Sequence, residues 1–173
     1  IYFLAVQGAE DRQREKFVEQ VADYSDDRVP RIDGFGVLDY LDEKLATEQL
    51  VVVIDEFPYL LEENDSLPSY LQSFVDEQLQ GTESMLVLCG SSVSTMELEV
   101  LGHESPLYGR RTGQIDVQPF SFRQARDVIE YDIENAIQSF AVTGGTPMYL
   151  TLFDYDQPLT ENIRITILSP TVI

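Results

Sequence analysis

The sequence VVVIDEF, from Val51 to Phe57, is the most informative part of the chain, because four β-branched residues run directly into an adjacent acidic pair, Asp55 and Glu56. A short run of such residues is typical of a strand inside a sheet. Successive side chains of a strand point to opposite faces, so the two acids cannot be the facing carboxylates of a glycosidase. They are instead suited to separate roles at the end of the strand.

Around this strand, short apolar runs alternate with helical patterns, which predicts an α/β fold with a parallel sheet flanked by helices. The predicted strands are Ile1 to Val6, Leu50 to Phe57, Met85 to Gly90 and Gln114 to Pro119. The predicted helices of this part are Asp11 to Tyr24, Gly36 to Ala46, Pro68 to Leu79 and Val93 to Leu101. The two central strands are apolar throughout, which predicts helices on both faces of the sheet.

After Pro119 the pattern changes to short helices. They are predicted over Ser121 to Tyr131, Ile133 to Val142, Pro147 to Phe153 and Glu161 to Leu168. We therefore expect an α/β core over residues 1–119 and a small helical subdomain over residues 120–173, joined as one continuous unit.

The charge of the chain is strongly acidic, with 31 Asp and Glu against 11 Lys and Arg and a formal net charge of −20 over 173 residues. This balance argues against direct binding of DNA, RNA or anionic lipid. Only Lys16 and Lys44 are lysines. Such an acidic, lysine-poor surface suits a protein kept soluble in concentrated salt and predicts a halophilic source.

The remaining composition points to the cytoplasm. Cys89 is the single cysteine of the chain and cannot form an internal disulfide, and the opening sequence becomes acidic too early for a signal peptide. No apolar run approaches the roughly 20 residues that a membrane helix needs. The chain begins with Ile1 inside an apolar run, without an initiator Met, so we expect it to be a piece cut at both ends.

The acidic pair has a chemical interpretation at the carboxyl end of a parallel strand. Asp55 can hold Mg²⁺ directly or through water, and Glu56 can orient and deprotonate a water aimed at a γ-phosphate. This is the form of a Walker B motif with its catalytic glutamate. The alternative is a strand that simply ends in acidic loop residues.

Further segments extend this pattern, and with them the chain resembles the archaeal family of P-loop ATPases within the AAA+ and STAND-like branch. The matching segments are Val51 to Leu60, Leu86 to Met96, Ser105 to Ala125, Gly144 to Leu150 and Glu161 to Leu168. The IYFLA sequence at the start is similar to the family's second strand. The sheet order of the family implies that this strand lies beside VVVIDEF, which in turn lies beside Met85 to Gly90.

The resemblance implies roles for particular residues near the phosphates. Asp55 would coordinate magnesium, and Glu56 would be the general base for water. Ser91, with Ser92 as the second choice, stands where the family has a polar sensor of the γ-phosphate, because a hydroxyl can donate to a phosphate oxygen. A Gly-Ser-Ser turn with a serine N-cap explains the same sequence, and both interpretations can hold.

Two more sites follow from the resemblance. Arg110, with Arg111 as the second choice, stands where related ATPases have an arginine finger, although pairing with surface acids explains it equally well. The resemblance implies that the GGTP turn lies in the helical lid close to the nucleotide, so Gly145 and Pro147 would matter for lid closure rather than for catalysis, and Gly145 is a candidate nucleotide contact. Helix capping alone also selects Gly-Gly before Pro.

One motif of the family is missing. A Walker A loop requires G-x-x-x-x-G-K-[ST], whereas Lys16 follows Glu15 and Lys44 follows Glu43. In the family this loop follows a first strand that precedes the IYFLA-like strand. That first strand lies in the sheet between the strands that correspond to Met85 to Gly90 and to Gln114 to Pro119. We therefore expect a fragment in which these two strands either close on each other or leave exposed edges in a poorly folded chain.

The predicted function is that of a domain that binds ATP with Mg²⁺ and hydrolyses it, inactive in this piece because Walker A is absent. The alternative is a non-catalytic module, derived from such an ATPase, that binds another protein. A homo-oligomer or a protein partner is compatible with both hypotheses.

Overall fold

The computed structural model describes residues 1–34 and 36–169 of the chain. It contains two compact units, Ile1–Gly113 and Gln114–Ile173, each with its own buried apolar cluster. The division falls at the start of the segment that the sequence assigns to a fourth strand.

The first unit contains the sheet. Its strands are β1 (Tyr2–Leu4), β2 (Val51–Asp55) and β3 (Met85–Leu88), all parallel, in the order β1-β2-β3. Tyr2 pairs with Val53, and Val53 pairs with Val87. The predicted α/β fold is therefore confirmed, with the neighbours that the family's sheet order implies.

The predicted fourth strand, Gln114 to Pro119, is wrong. This segment forms no strand in the structure, and the side chains of Ile115 and Val117 are 88% and 85% exposed. Its alternation of apolar and polar residues is that of a half-buried strand, but an extended segment joins a sheet only when a neighbouring strand takes up its backbone hydrogen bonds. None of the described strands pairs with it.

The described residues of the first unit form five helices beside the sheet: α1 (Glu10–Tyr24), α2 (Gly36–Leu45), α3 (Pro58–Glu63), α4 (Leu67–Phe74) and α5 (Val93–Thr95). The wider turns of π-helices, Val75–Leu79 and Met96–Val100, continue α4 and α5. The sequence does not predict α3, because six residues are too few to show a helical period. Pro58 at its start fits the helix entry, where the missing N–H has no intrahelical partner.

The sheet is buried on one face only, so the prediction that both faces are covered is wrong for the described strands. Phe3, Val52 and Ile54 are buried among residues of α1, α2 and α4, and the rings of Phe3 and Phe17 lie 5.0 Å apart. The opposite face carries apolar side chains that are between 47% and 56% exposed: Tyr2, Leu4, Val51 and Met85. β2 therefore alternates between buried side chains and side chains that are half-buried or exposed, although Val51 to Ile54 are all apolar.

The second unit is helical, as predicted. Its helices are α6 (Phe122–Ala125), α7 (Ile133–Thr143), α8 (Pro147–Thr151) and α9 (Leu159–Asn162), and a π-helical turn, Ile163–Ile167, continues α9. Ser121 and Gln124 form a reciprocal capping box at α6, and Asp132 caps α7. Among the described residues of the whole chain, no helix combines the length and apolarity needed to cross a membrane.

Candidate functional site at the carboxyl end of the sheet

The carboxyl ends of β2 and β3 form the candidate site. Cys89 N–H donates to the carbonyl oxygen of Ile54 at 2.9 Å, and Phe57 N–H donates to the carbonyl oxygen of Cys89 at 2.8 Å. These hydrogen bonds extend the pairing beyond both strands, so the loops that follow them leave the sheet side by side. Phe57, in the first of these loops, is fully buried in the apolar core of the first unit and so fixes the position of that loop.

The backbone turns sharply at Glu56, which has a φ angle of +53°. Left-handed backbone costs a residue other than glycine about 1–2 kcal/mol, and such conformations concentrate at functional sites. The turn ends the strand alternation directly after Asp55. Glu56 N–H then donates to Oδ1 of Asp55 at 3.0 Å, so the bend carries its own local hydrogen bond.

The Glu56 side chain reaches the loop after β3. Its Oε2 accepts hydrogen bonds from the Ser91 hydroxyl at 3.0 Å and from the Ser91 N–H at 3.3 Å. The structure thus brings together two residues that are 35 positions apart and that the sequence assigned to water activation and phosphate sensing.

The Asp55 side chain is held from the other side, by β1. The Tyr2 hydroxyl donates to Asp55 Oδ2 at 2.6 Å. This hydrogen bond is the main reason why the pKa of Tyr2 lies above its ordinary value, with burial a smaller cause. Burial first, and the Asp55 charge second, raise the pKa of the Cys89 thiol. No sequence motif points to Tyr2, because its place beside Asp55 depends on the register between β1 and β2.

Ser92 has a different role from Ser91. Its hydroxyl caps α5 by accepting from Thr95 N–H at 3.4 Å, and it lies 2.7 Å from the Thr95 hydroxyl. The N-cap interpretation therefore holds for Ser92, while Ser91 contacts the acidic pair. A phosphate-sensing role for either serine stays a prediction.

Arg110 pairs with an acid on the π-helical turn after α4. Its Nε and Nη2 atoms donate to the two carboxylate oxygens of Asp76 at 2.8 and 2.7 Å, and Nη1 donates to the Pro106 carbonyl at 2.9 Å. The guanidinium lowers the pKa of Asp76, chiefly through these hydrogen bonds. The alternative interpretation of Arg110, pairing with a surface acid, is therefore present in the structure. Arg111 also has an interaction partner. An arginine-finger role stays a prediction for both arginines.

Gly145 has a backbone role in the second unit. Its φ angle is +78°, and a Cβ there would lie 2.2 Å from the carbonyl oxygen of Phe120, whose N–H donates to Gly145 O at 2.9 Å. Gly144 ends α7 in the left-handed conformation, and Pro147 begins α8. Capping and close packing explain the GGTP turn, and a nucleotide contact by Gly145 stays a prediction.

The donor set fits a phosphate-bound magnesium ion better than a protein-caged metal. No cluster of three or more His, Cys, Asp or Glu side chains that could hold a metal occurs in the described part of the chain. Magnesium in phosphate-transfer sites needs only one or two carboxylates, with waters and phosphates completing its shell. A carboxylate accepts at about four positions, so Asp55 keeps capacity for a cation beside its bonds to Tyr2 and Glu56.

The parallel sheet, with an acidic pair and a hydroxyl at the ends of adjacent strands, is the arrangement expected of an ATPase-type nucleotide-binding domain. A family model, described as an ATPase domain predominantly from Archaea, matches residues 1–153 of the sequence. The chain belongs to this family, which confirms the resemblance to archaeal P-loop ATPases, and membership implies that the domain binds a nucleotide.

Two proteins and one solved structure are similar to this chain. An uncharacterized protein of Methanocaldococcus jannaschii is 32% identical over 154 residues, which are 87% of this chain and 33% of that protein. A second uncharacterized protein of the same organism is 38% identical over 53 residues, 31% of this chain and 52% of that protein. A solved Walker-type ATPase of Pyrococcus abyssi shares the fold, with a TM-score of 0.56 at 18% identity over 95% of this chain and 60% of that one. The chain thus spans a third of the first relative's length.

Proposed function

We propose that this chain supplies the Walker B strand and the phosphate-sensing loop of a domain that binds ATP with Mg²⁺ and hydrolyses the β,γ bond. The observation that carries this proposal is the contact of Glu56 with Ser91, next to Asp55, at the carboxyl end of β2 and β3. In open α/β sheets, ligands bind outside the carboxyl ends of the strands. The site therefore lies where a nucleotide phosphate is expected.

Each side chain has a distinct task in this proposal. Asp55 holds the magnesium ion, directly or through water, and the bound ion supplies positive charge opposite the phosphates. Glu56 orients the attacking water and accepts its proton. The Ser91 hydroxyl, which donates to Glu56 in this structure, can rotate and donate to a phosphate oxygen instead. Ser91 would thereby couple the position of the base to the presence of a phosphate.

A non-catalytic protein-interaction module is the second candidate, and it is the one in which a phosphate loop plays no part. The 173 residues contain no G-x-x-x-x-G-K-[ST] sequence, and this loop is the main cradle for phosphates in P-loop ATPases. In that case the α/β unit would bind a protein, and the acidic pair would keep only its structural contacts.

Hydrolysis separates the two candidates when a G-x-x-x-x-G-K-[ST] segment precedes Ile1 in the same polypeptide. We expect Glu56→Gln to keep Mg-ATP binding, measured by calorimetry, and to lower phosphate release by at least about 100-fold, the usual contribution of a general base. Glu62→Gln, the same substitution at an exposed acid of α3, is the matched control and should leave both measurements unchanged.

Two results would contradict the proposal. Turnover that Glu56→Gln leaves unchanged would remove the role given to the base. A folded polypeptide that carries the phosphate loop and still fails to bind Mg-ATP would favour the interaction module.

A further inference from the structure

Tyr2 stands in the strand next to the acidic pair, and its position follows from the register of the sheet. It pairs with Val53, so its side chain lies on the same face as Val53 and Asp55. Strand side chains lean along the strand, and a tyrosine is long enough to reach the next position on that face. Its hydroxyl meets the Asp55 carboxylate at 2.6 Å across 53 residues of sequence.

Packing alone does not account for a tyrosine at this place. The side chain is 56% exposed on the open face of the sheet, so a phenylalanine or leucine would fill the same space. What the hydroxyl adds is a hydrogen bond to one oxygen of Asp55, while Glu56 N–H binds the other oxygen. Together the two donors fix the rotation of the carboxylate about its last bond.

We propose that Tyr2 is a positioning residue for the Asp55 carboxylate. The Tyr2 hydroxyl orients this carboxylate by donating to Oδ2, while Glu56 N–H donates to Oδ1. This inference rests on the proposed function, in which Asp55 holds the cation of the Mg-ATP complex. With both hydrogen bonds in place, the lone pairs of the two Asp55 oxygens that remain free to bind a cation have fixed directions before the cation binds. Groups that orient a metal ligand typically change metal affinity by 10–100-fold when they are removed.

The test measures cation binding at the site itself, using Mn²⁺ as a paramagnetic substitute for Mg²⁺ and the 173-residue chain. Broadening of the backbone amide signals of Glu56 and Cys89 reports a cation at Asp55, whereas diffuse binding to this acidic surface broadens signals everywhere. The quantity compared is the Mn²⁺ concentration at which these signals lose half of their intensity, called half-broadening. It is measured for the unsubstituted chain and for the variants Tyr2→Phe, Tyr24→Phe and Asp55→Asn. Measurements in 1 M KCl suppress diffuse binding, because the Debye length is then about 3 Å.

Tyr24→Phe is the matched control. The Tyr24 hydroxyl also donates to an exposed carboxylate, Oε2 of Glu48 at 3.1 Å, and its side chain is 50% exposed. The same atom is therefore lost from the same kind of pair. We expect Tyr2→Phe to raise the Mn²⁺ concentration at half-broadening by about 10-fold, Tyr24→Phe to leave it unchanged, and Asp55→Asn to abolish local broadening.

The outcomes separate this inference from the function on which it rests. If Asp55→Asn keeps the local broadening, the cation site of the proposed function is wrong and the inference falls with it. If Asp55→Asn abolishes broadening but Tyr2→Phe behaves as the unsubstituted chain, only the positioning role of Tyr2 is wrong. If Tyr24→Phe raises the Mn²⁺ concentration at half-broadening as much as Tyr2→Phe does, the positioning role is also wrong, because loss of any tyrosine hydroxyl would then weaken cation binding.

Discussion

The hydroxyl of Ser91 donates to Oε2 of Glu56 at 3.0 Å, which joins the loop after β3 to the residue that follows β2. The backbone N–H of Ser91 reaches the same oxygen at 3.3 Å. The side chain of the serine is therefore one of two anchors for this carboxylate, and removal of the hydroxyl leaves the other in place. Ser92 supplies a natural comparison, because its hydroxyl caps α5 instead.

The first prediction compares Ser91→Ala with Ser92→Ala. We expect Ser91→Ala to lower ATP hydrolysis in the polypeptide that carries the phosphate loop, by roughly 10-fold for one hydrogen bond of about 1.4 kcal/mol, with little change in stability. Ser92→Ala should instead lower the free energy of unfolding by about 1 kcal/mol, the usual cost of a lost N-cap. Phosphate release and urea denaturation measure the two effects, and exchanged results for the two serines would contradict the assignment.

The second prediction concerns the pH dependence of the Arg110 and Asp76 pair. The hydrogen bonds from Arg110 lower the pKa of the Asp76 carboxyl. Its stabilising contribution is therefore complete above the unfolded pKa of about 3.9 and is lost as the pH falls through the lower folded value. We expect a favourable coupling between Asp76→Asn and Arg110→Gln at pH 7, and a smaller one at a pH below about 3.9 at which the chain is still folded.

A double-mutant cycle on the free energy of unfolding measures this coupling. Both side chains are partly exposed, so added salt should weaken the coupling at pH 7. A coupling that is the same at both pH values would show that the pair stabilises the unit through packing rather than charge.

The third prediction separates two adjacent glycines of the second unit. A Cβ at Gly144 meets nothing within 4 Å, whereas one at Gly145 would lie 2.2 Å from the Phe120 carbonyl oxygen. Gly144→Ala should therefore cost only the strain of left-handed backbone, about 1–2 kcal/mol. Gly145→Ala should cost more, because Phe120 must also move and its 2.9 Å hydrogen bond is disturbed. Urea denaturation of both variants tests this order, and equal costs would contradict the close packing at Gly145.

The strands could be predicted from the sequence where a short apolar run is followed by the residues of a functional motif. The run at Val51 and the apolar run at Met85 predicted two neighbouring strands, which the structure pairs in parallel, although only β2 is central among the described strands. Gln114 to Pro119 shows the limit, because its pattern is that of a strand but strand formation depends on a partner elsewhere in the chain. The uniform apolarity of β2 likewise predicts burial on both faces, while exposure depends on what packs there.

The candidate site was only partly predictable for a related reason. Motif resemblance located Asp55, Glu56 and Ser91, because chemistry restricts which residues occur there. The division of labour between Ser91 and Ser92 needed coordinates, since a turn of two serines offers either hydroxyl to either partner. Tyr2 carries no motif, and only the register between β1 and β2 places it beside Asp55.

The last prediction concerns the backbone strain at Glu56. Its φ angle of +53° is unfavourable for any residue with a Cβ. Glu56→Ala and Glu56→Gly both remove the carboxylate and its bonds to Ser91, but only glycine also removes the strain. We therefore expect Glu56→Gly to unfold with a free energy about 0.5–1 kcal/mol higher than that of Glu56→Ala, since the flexibility of glycine in the unfolded chain offsets part of the relief.

Asp26, with a φ angle of +52° in the loop after α1, is the matched position. Asp26→Gly should likewise have a higher free energy of unfolding than Asp26→Ala in urea denaturation. In the polypeptide that carries the phosphate loop, neither Asp26 variant should change ATP hydrolysis, whereas both Glu56 variants should lower it at least about 100-fold. If glycine gives no gain over alanine at Glu56 while it does at Asp26, the strain at the site is not stored in the backbone. If the gain is present at both, the fold tolerates a strained residue at the end of β2, and the bend it maintains directs the Glu56 carboxylate toward Ser91.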